Sequence, residues 1–350
     1  MPAAGIDVLV RGAGPVGCVA ALALRSCGKE VRVRAENPHA GSFRPIVLSY
    51  GSRLILERLG VWQALAPTAI DTIHVSQAGG FGRTLFDAGD AGVPALGYVL
   101  EYSELVQVLR ASVQDLLIEE ETDARCVVHA EGAAADAGEK RYAQDALVAN
   151  VRFAGAAAST AFERFTREGP LALLPLAGGY AVVWSLRPER ARNLLSASEK
   201  EFLQQLADAA GTRPGHPLSV QARAVQPLVL RVRTESIAQR AVYIGNAAQT
   251  LHPVAGQGLN LGLRDAWDLA QIMREADDPG EAVVLRRFAA RRRLDAGAAI
   301  RITDLLAQAF LRSTLPFNLF TSAALTALDI LPAPRRFFAR RMIFGASALP

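Results

Sequence analysis

The chain has 350 residues, enough for two or three domains around a sizeable core. Hydrophobic residues make up 51%, charged residues 21% and the formal net charge is only +4, which fits an ordered globular protein and excludes a disordered one. No basic stripe is interleaved with stacking aromatics, so nucleic acid is not an expected partner.

The positive charge is almost all arginine; lysine occurs only at Lys29, Lys140 and Lys200. The clusters Arg291-Arg292-Arg293 and Arg335, Arg336, Arg340, Arg341 read either as solvated helix faces or as attraction to anionic lipid head groups. Cys18, Cys27 and Cys126 have no metal-like spacing, so the expectation is reduced thiols, no metal and a cytoplasmic location. The apolar run from Val16 to Leu24 is too short for a membrane span, and a glycine turn precedes it rather than a basic segment.

In chain order, Ile6 to Val10 is an apolar run typical of a buried parallel strand. A glycine turn follows, then a helix from Cys18 to Ser26 that stops at Gly28, and a second strand beginning with Val31 and Val33. Leu54 to Leu65 predicts a helix with Leu54, Leu56, Leu59 and Leu65 as its apolar positions. Ser103 to Val113 predicts another, with Leu105, Val108 and Leu109 inward. Gly132 to Gly138 reads as a loop.

Ala146 to Phe153 and Ala161 to Thr166 have strand composition. Leu171 to Leu176 and Tyr180 to Leu186 flank Gly178-Gly179, a hairpin signal. Val220 to Val225 and Leu228 to Val232 add two strand candidates, and Ala241 to Ile244 is a short strand leading to a second glycine-rich loop. The remainder is helical, broken at Pro316, Pro332 and Pro334.

The first chemical motif is Gly12-Ala13-Gly14-Pro15-Val16-Gly17. Gly12 permits a tight turn, Gly14 lets backbone approach a pyrophosphate, and Gly17 allows close helix–strand packing. The helix behind them presents free N–H groups and partial positive charge to a diphosphate. Glu36, 19 residues beyond Gly17, is the candidate acid for ribose hydroxyls. The second motif runs from Gly245-Asn246-Ala247-Ala248-Gln249-Thr250-Leu251-His252-Pro253 through Gly256, Gly258 and Gly262 to Arg264-Asp265. Its glycines read as letting backbone approach a flat ligand. The helix is expected to start near Leu259, with Leu263, Ala266, Trp267 and Ala270 on one side.

These residues resemble the flavin motifs of class A FAD-dependent aromatic monooxygenases, and most of all the ubiquinone-biosynthesis hydroxylases. Segments Arg44–Gly60, Glu163–Pro175 and Thr303–Gly345 agree, so the resemblance spans nearly the whole chain. It implies a fold of α/β class: a discontinuous Rossmann-like FAD-binding domain, an inserted antiparallel β-sheet substrate domain and a helical C-terminal region. The expected layout is FAD-binding parts at 1–70, 98–142 (shortened) and 237–280, substrate-domain parts at 71–97 and 143–236, and C-terminal helices at 281–350.

The resemblance also implies FAD, with NAD(P)H as reductant and O2, and hydroxylation of a lipophilic phenol in ubiquinone synthesis. The cofactor carries the hard chemistry, which accounts for the lack of a triad or metal constellation. By resemblance, Gly12, Gly14, Pro15, Val16, Gly17 and Arg44 would hold the diphosphate region and Asn246 the ribityl–diphosphate chain. Pro253, Gly256, Gly258, Leu259 and Asn260 would line the isoalloxazine. His252 reads either as a base for the substrate phenol or as a structural hydrogen-bonding residue, and Pro253 lies beside it.

Four departures from the family pattern stand out. Without a gap the second strand's acid falls on Ala35, Asn246 replaces the acid of the second motif, and the central Asp-Gly becomes Ala130-Glu131-Gly132. The stretch from Leu117 to Cys126 is too short for the strands that the family places there. The alternative functions are hydroxylation of a small soluble aromatic and a non-catalytic flavin-binding scaffold in a quinone-synthesis assembly. The C-terminal apolar residues Leu315, Phe317, Leu319, Phe320, Leu325, Leu328, Ile330 and Leu331, followed by arginines, read either as a core cap or as peripheral contact with the cytoplasmic membrane face.

Overall fold

The structure, a computed structural model, describes residues 5–35, 43–132, 138–251, 256–309 and 315–345; the side chains of residues 294 and 298–321 are outside the description. The fold is mixed α/β. Val8, Val10, Val31 and Val33 alternate inward on two short strands, Ile6–Arg11 and Val31–Arg34, which pair in parallel. The connecting helix Pro15–Ser26 starts at proline, whose fixed φ suits a first helical turn and which lacks a donor to waste there. The helix therefore begins three residues earlier than its apolar pattern suggests.

The first sheet has six strands in the order Ile237–Ala238, Ala241–Tyr243, Ala124–His129, Ile6–Arg11, Val31–Arg34, Leu117–Ile118, and all pairs but the first are parallel. The short 117–126 stretch is resolved here. Leu117–Ile118 is a two-residue edge, and Ala124–His129 still reaches the centre, where Val8 faces Cys126 in register. Cys18, Cys27 and Cys126 are free thiols, and burial pushes those of Cys18 and Cys126 up to about 12.

The second sheet has eight strands. It combines Thr72–Gln77 and Arg83–Asp87 with Gly138–Ala154, Thr160–Phe165, Pro170–Leu176, Gly179–Leu186, His216–Val232 and Gln249–Thr250. One face carries Leu147, Leu171, Tyr180, Val182 and Trp184 under the helices Pro188–Ser196 and Glu199–Ala210. The opposite face carries Ala161, Ala172, Leu174, Ala181 and Val183, and meets Val47 and Val99 of a small third sheet. That third sheet joins Pro45–Ser49, Gly97–Glu101 and Thr68–Ile70.

Several expected elements differ. The helix read at Leu54–Leu65 runs from Tyr50 to Arg58, because Ser49 Oγ accepts the Ser52 N–H at 3.2 Å and caps it early. Gly60, at φ +72°, then turns the chain. The two strands expected at Val220–Val225 and Leu228–Val232 are one 17-residue strand, His216–Val232, with register shifts against its partner. Gly138 opens a strand rather than closing a loop, and residues 133–137 lie outside the described ones. The helices at 188–196 and 199–210 had no counterpart in the pattern reading, although Ser198 Oγ caps the second by accepting from Glu201 N.

Phe202 is fully buried against the second sheet, and the Arg223 guanidinium lies 5.2 Å from its ring centroid while donating to the carbonyls of Leu194 and Ala197. Phe202→Ala is expected to cost about 3–5 kcal/mol, the range for emptying a buried aromatic site. Urea denaturation followed by tryptophan fluorescence measures this; a loss below about 1 kcal/mol would mean the helix pair does not seal this face.

Candidate active site

The two glycine-rich segments come together through one side chain. Val16, in the first turn of Pro15–Ser26, sits against Gly245 and Gly262. A β-carbon on Gly262 would fall 2.6 Å from a Val16 methyl and one on Gly245 would fall 3.0 Å from another. Gly262 thus serves helix packing, not the approach of a flat ligand as its place in the motif suggested. The helix Gln257–Met273 begins at Gly256, which adopts φ +58°, two residues before the expected start.

Asp265 holds the returning segment: it accepts from Gln249 Nε2 at 3.2 Å and pairs with Arg292 at 3.1 Å. Burial raises its pKa, and Arg292 and the hydrogen bonds work against that. Arg264 pairs with Asp295 at 2.7 Å and Arg291 with Asp268 at 2.9 Å. Two arginines of the 291–293 cluster are therefore paired braces, Arg292 a largely buried one and Arg291 an exposed one.

The glycines of the first turn differ in what surrounds them. A β-carbon on Gly17 would meet the Gly12 carbonyl oxygen inside contact distance, and Gly12, at φ +103°, lies against Glu131. The Ala130-Glu131-Gly132 segment is thus folded onto the glycine turn. Gly14 is unlike both. It caps the helix with φ −77° and ψ 176°, a conformation open to any residue, and the nearest atom to a β-carbon there is Tyr102 Oη at 3.9 Å. Nothing in the protein demands glycine at this position. A cradle at a helix N-terminus that a β-carbon would fill is what a bound diphosphate requires, so these residues fit FAD.

Arg44 belongs to the same neighbourhood. Its guanidinium lies 4.5 Å from the Tyr102 ring centroid and its carbonyl accepts the Tyr102 N–H at 2.9 Å. Tyr102 was not singled out by sequence; its one signal is its position at the end of a strand, before a helix. Asn246 is exposed beside the buried Gly245 and Ala247. Asn260 does not face outward: its side chain accepts from Ser49 N and Ser52 Oγ and donates to the Val47 and Gly256 carbonyls, so all four valences are spent on protein. It ties the start of this helix to Pro45–Ser49. Gly258 has only Leu251 near its β-carbon position, at 3.8 Å, and Leu259 is half-buried. Glu36, His252 and Pro253 lie outside the described residues.

At the carboxyl ends of the parallel strands the rim is cationic and aromatic. Arg11 and Arg34 both pair with Glu121, and His129 stacks on Tyr243 at 4.6 Å with Arg233 over the other partner's ring. Burial and the neighbouring Arg11 and Arg233 lower the His129 pKa. Ala35, where the family pattern places an acid, follows the strand Val31–Arg34, and Glu121 from the 117–126 stretch supplies a carboxylate to this rim. A separate small cavity, lined by His74, Ser76, Phe162, Arg164 and Arg213, lies on the helix-covered face of the second sheet, away from both glycine turns. No group of acidic, histidine or cysteine side chains suited to a metal occurs among the described residues.

A strand–glycine turn–helix with an open cradle, on a mixed α/β fold, defines a dinucleotide-binding protein. Residues 118–303 match the family described as FAD binding domain. The 3-demethoxyubiquinol 3-hydroxylase of Escherichia coli is 27% identical, covering 92% of this chain and 94% of that protein. Ubiquinone hydroxylase UbiL of Rhodospirillum rubrum is 28% identical, covering 95% of this chain and 88% of that protein. Among solved structures, p-nitrophenol 4-monooxygenase PnpA from Pseudomonas putida shares the fold with a TM-score of 0.75 at 17% identity, over 97% of this chain and 99% of that one. The chain belongs to the FAD-dependent aromatic monooxygenases, and ubiquinone hydroxylases are among the proteins it is similar to in sequence.

The glycines can be separated by experiment. Gly14→Val is expected to leave the fold intact and abolish FAD retention, because the side chain fills only the cradle. Gly17→Val is expected to lower thermal stability of the apo-protein, because its side chain meets backbone. Flavin absorbance of the purified proteins, with melting curves of the apo forms, reads both; full flavin occupancy in Gly14→Val would remove the cradle from the site.

Proposed function

We propose that this enzyme hydroxylates a phenolic ring bearing a polyprenyl tail in ubiquinone synthesis, using NAD(P)H and O2. The observation that supports the reading most is the packing of the first turn of Pro15–Ser26, through Val16, on the second turn of Gln257–Met273, with Gly14 and Gly258 left open near the contact. Helix N-termini favour negative charge, both the diphosphate and the charge that builds on a reduced flavin ring. When bound, FAD supplies the activation of O2 and delivery of a hydroxyl group to the ring.

In this reading Gly12, Gly14, Pro15, Val16, Gly17 and Arg44 hold the diphosphate region, and Asn246 faces the chain leading to the ring. Pro253, Gly256, Gly258 and Leu259 line the ring, with His252 beside the substrate. Asn260 serves by clamping that loop rather than by touching the cofactor, given its four protein partners. The flavin-binding parts are 1–70, 98–142 and 237–280, the second sheet belongs to the substrate side, and 281–350 closes the site. Two relatives are named as hydroxylases of ubiquinone or a ubiquinol precursor, which supports a quinone-precursor substrate.

A lipophilic substrate fits peripheral contact with the cytoplasmic membrane face. No helix among the described residues is long and apolar enough to cross a membrane. Ile330, Leu331 and Phe337 are exposed at 70%, 50% and 73%, and Arg336 is exposed beside them, an apolar and basic combination suited to an anionic lipid surface. Arg335 is engaged with Asp90 at 2.7 Å.

The test is NAD(P)H oxidation and product formation with 2-polyprenylphenols of increasing tail length on the FAD-loaded protein. Stimulation that grows with tail length is expected. Stimulation only by small soluble phenols would favour that alternative substrate, and none at all would favour a scaffold. Gly258→Leu is expected to lower stimulated turnover by a factor on the order of a hundred while FAD is largely retained; wild-type turnover in that variant would move the reaction site elsewhere.

A further inference from the structure

Carboxylates around the helix Gln257–Met273 are braced by arginine. Asp265 has Arg292 and Gln249, Asp295 has Arg264, and Asp268 has Arg291. Glu163 breaks the pattern. It lies on the strand Thr160–Phe165, whose side chains alternate between the two faces of the second sheet. Phe162 packs with Tyr180 under the helices, whereas Ala161 joins the cluster containing Val47 and Val99. Glu163 therefore shares the face of Ala161, not the helix-covered one. Its cross-strand neighbours are Ala172 and Val75, and Phe165 follows it on the same face.

This is the face turned toward the flavin loop. Val47 belongs to the same apolar cluster as Ala161 and Ala172. Its carbonyl accepts from Asn260 and its side chain lies 3.6 Å from the β-carbon position of Gly256. On the other flank of Glu163, Val75 and Phe165 pack with residues of the C-terminal helix Pro332–Phe344, including Ile343 and Phe344. Glu163 thus stands between two apolar clusters, and its side chain keeps part of its surface open. Its sheet neighbours Ala161 and Ala172 carry small side chains.

Resting on the hydroxylase reading above, we propose that Glu163 is a catalytic residue that holds the phenolic hydroxyl of the substrate and takes its proton. The phenolic O–H bond breaks, the carboxylate oxygen gains the proton, and the electron pair stays on the ring oxygen. The ring carbons ortho and para to that oxygen become richer in electrons, as attack on an electrophilic oxygen requires. The rest of the page agrees. Among the described residues no hydrogen-bond donor or cation reaches Glu163, and its neighbours Ala161, Phe165, Ala172 and Val75 carry no charge. Burial alone pushes the carboxyl up to about 8. An unpaired carboxylate in such surroundings costs stability, so its retention calls for a partner the protein itself does not supply.

The sign of the pH effect follows. The ordinary value is 4.5 and the folded value about 8, so the folded state binds a proton more tightly than the unfolded state between them. Stability from this group therefore falls as pH rises through that window, and the base form appears only near and above its upper end.

The test uses FAD-loaded wild type, Glu163→Gln and Glu163→Asp, with a short-chain 2-prenylphenol as probe. Glu163→Gln is expected to retain FAD, to lose on the order of a hundredfold in kcat for hydroxylated product, and to lose the rise of kcat near pH 8; Glu163→Asp restores that rise. Equilibrium dialysis is expected to show about tenfold weaker probe binding to Glu163→Gln. Melting temperature measured from acid to alkaline pH is expected to fall less steeply in Glu163→Gln. Wild-type kcat and pH profile in Glu163→Gln would overturn the proposal. If wild type shows no phenol-stimulated turnover, the hydroxylase reading falls, and dialysis then decides for Glu163 alone: equal probe affinity in the two proteins overturns the contact and weaker affinity in the variant supports it.

Discussion

The site depends on how closely the helix Pro15–Ser26 approaches the helix Gln257–Met273. Val16 fits between Gly245 and Gly262, and no side chain larger than hydrogen could stand at either glycine without moving it. Interiors are packed to crystal-like density, so this contact sets the position of both glycine-rich turns to within a methyl group. Each helix brings unsatisfied N–H groups and partial positive charge at its first turn. The contact joins the first turn of one helix to the second turn of the other, so the two positive ends lie near one another.

Around that contact the protein spends its buried charges on bracing. Arg264 with Asp295 and Arg292 with Asp265 bind the helix Gln257–Met273 to Ala282–Ala309, and Asp265 also gathers Gln249. Such pairs add little net stability over an apolar equivalent, but removing one partner strands a charge and costs about 3–5 kcal/mol. Their value is geometric: they hold the 245–250 segment where Val16 needs it. Asn260 does the same for the other side, saturating its amide on the strand Pro45–Ser49. A satisfied network of this kind rigidifies its surroundings.

The second sheet divides its labour by face. The face under helices 188–196 and 199–210 is a conventional core built on Trp184, Tyr180 and Phe202. The opposite face is lined by smaller residues and the unpaired Glu163, and looks toward the cluster that contains Val47. Strand alternation alone produces this difference, since successive side chains must point to opposite sides. The shortened 117–126 stretch leaves the first sheet with a two-residue edge strand but does not remove its central strand, and it places Glu121 beside Arg11 and Arg34.

Local sequence determined the βαβ opening, the Gly178-Gly179 hairpin and both glycine-rich turns, because strand alternation, helix periodicity and the φ tolerance of glycine are properties of a few neighbouring residues. It misjudged the bounds of the helix at 50–58 and split one long strand in two, since caps and register shifts depend on partners elsewhere in the chain. It also could not separate glycines by purpose. Gly14, Gly17 and Gly262 look alike in a motif, yet one faces open space, one a backbone carbonyl and one a valine methyl. Nor could it show that Arg291 and Arg292 are braces or that Asn260 is fully occupied, because each finds its partner on a distant segment. Only the tertiary structure decided these, since what a residue touches is set by the packing of elements far apart in the chain.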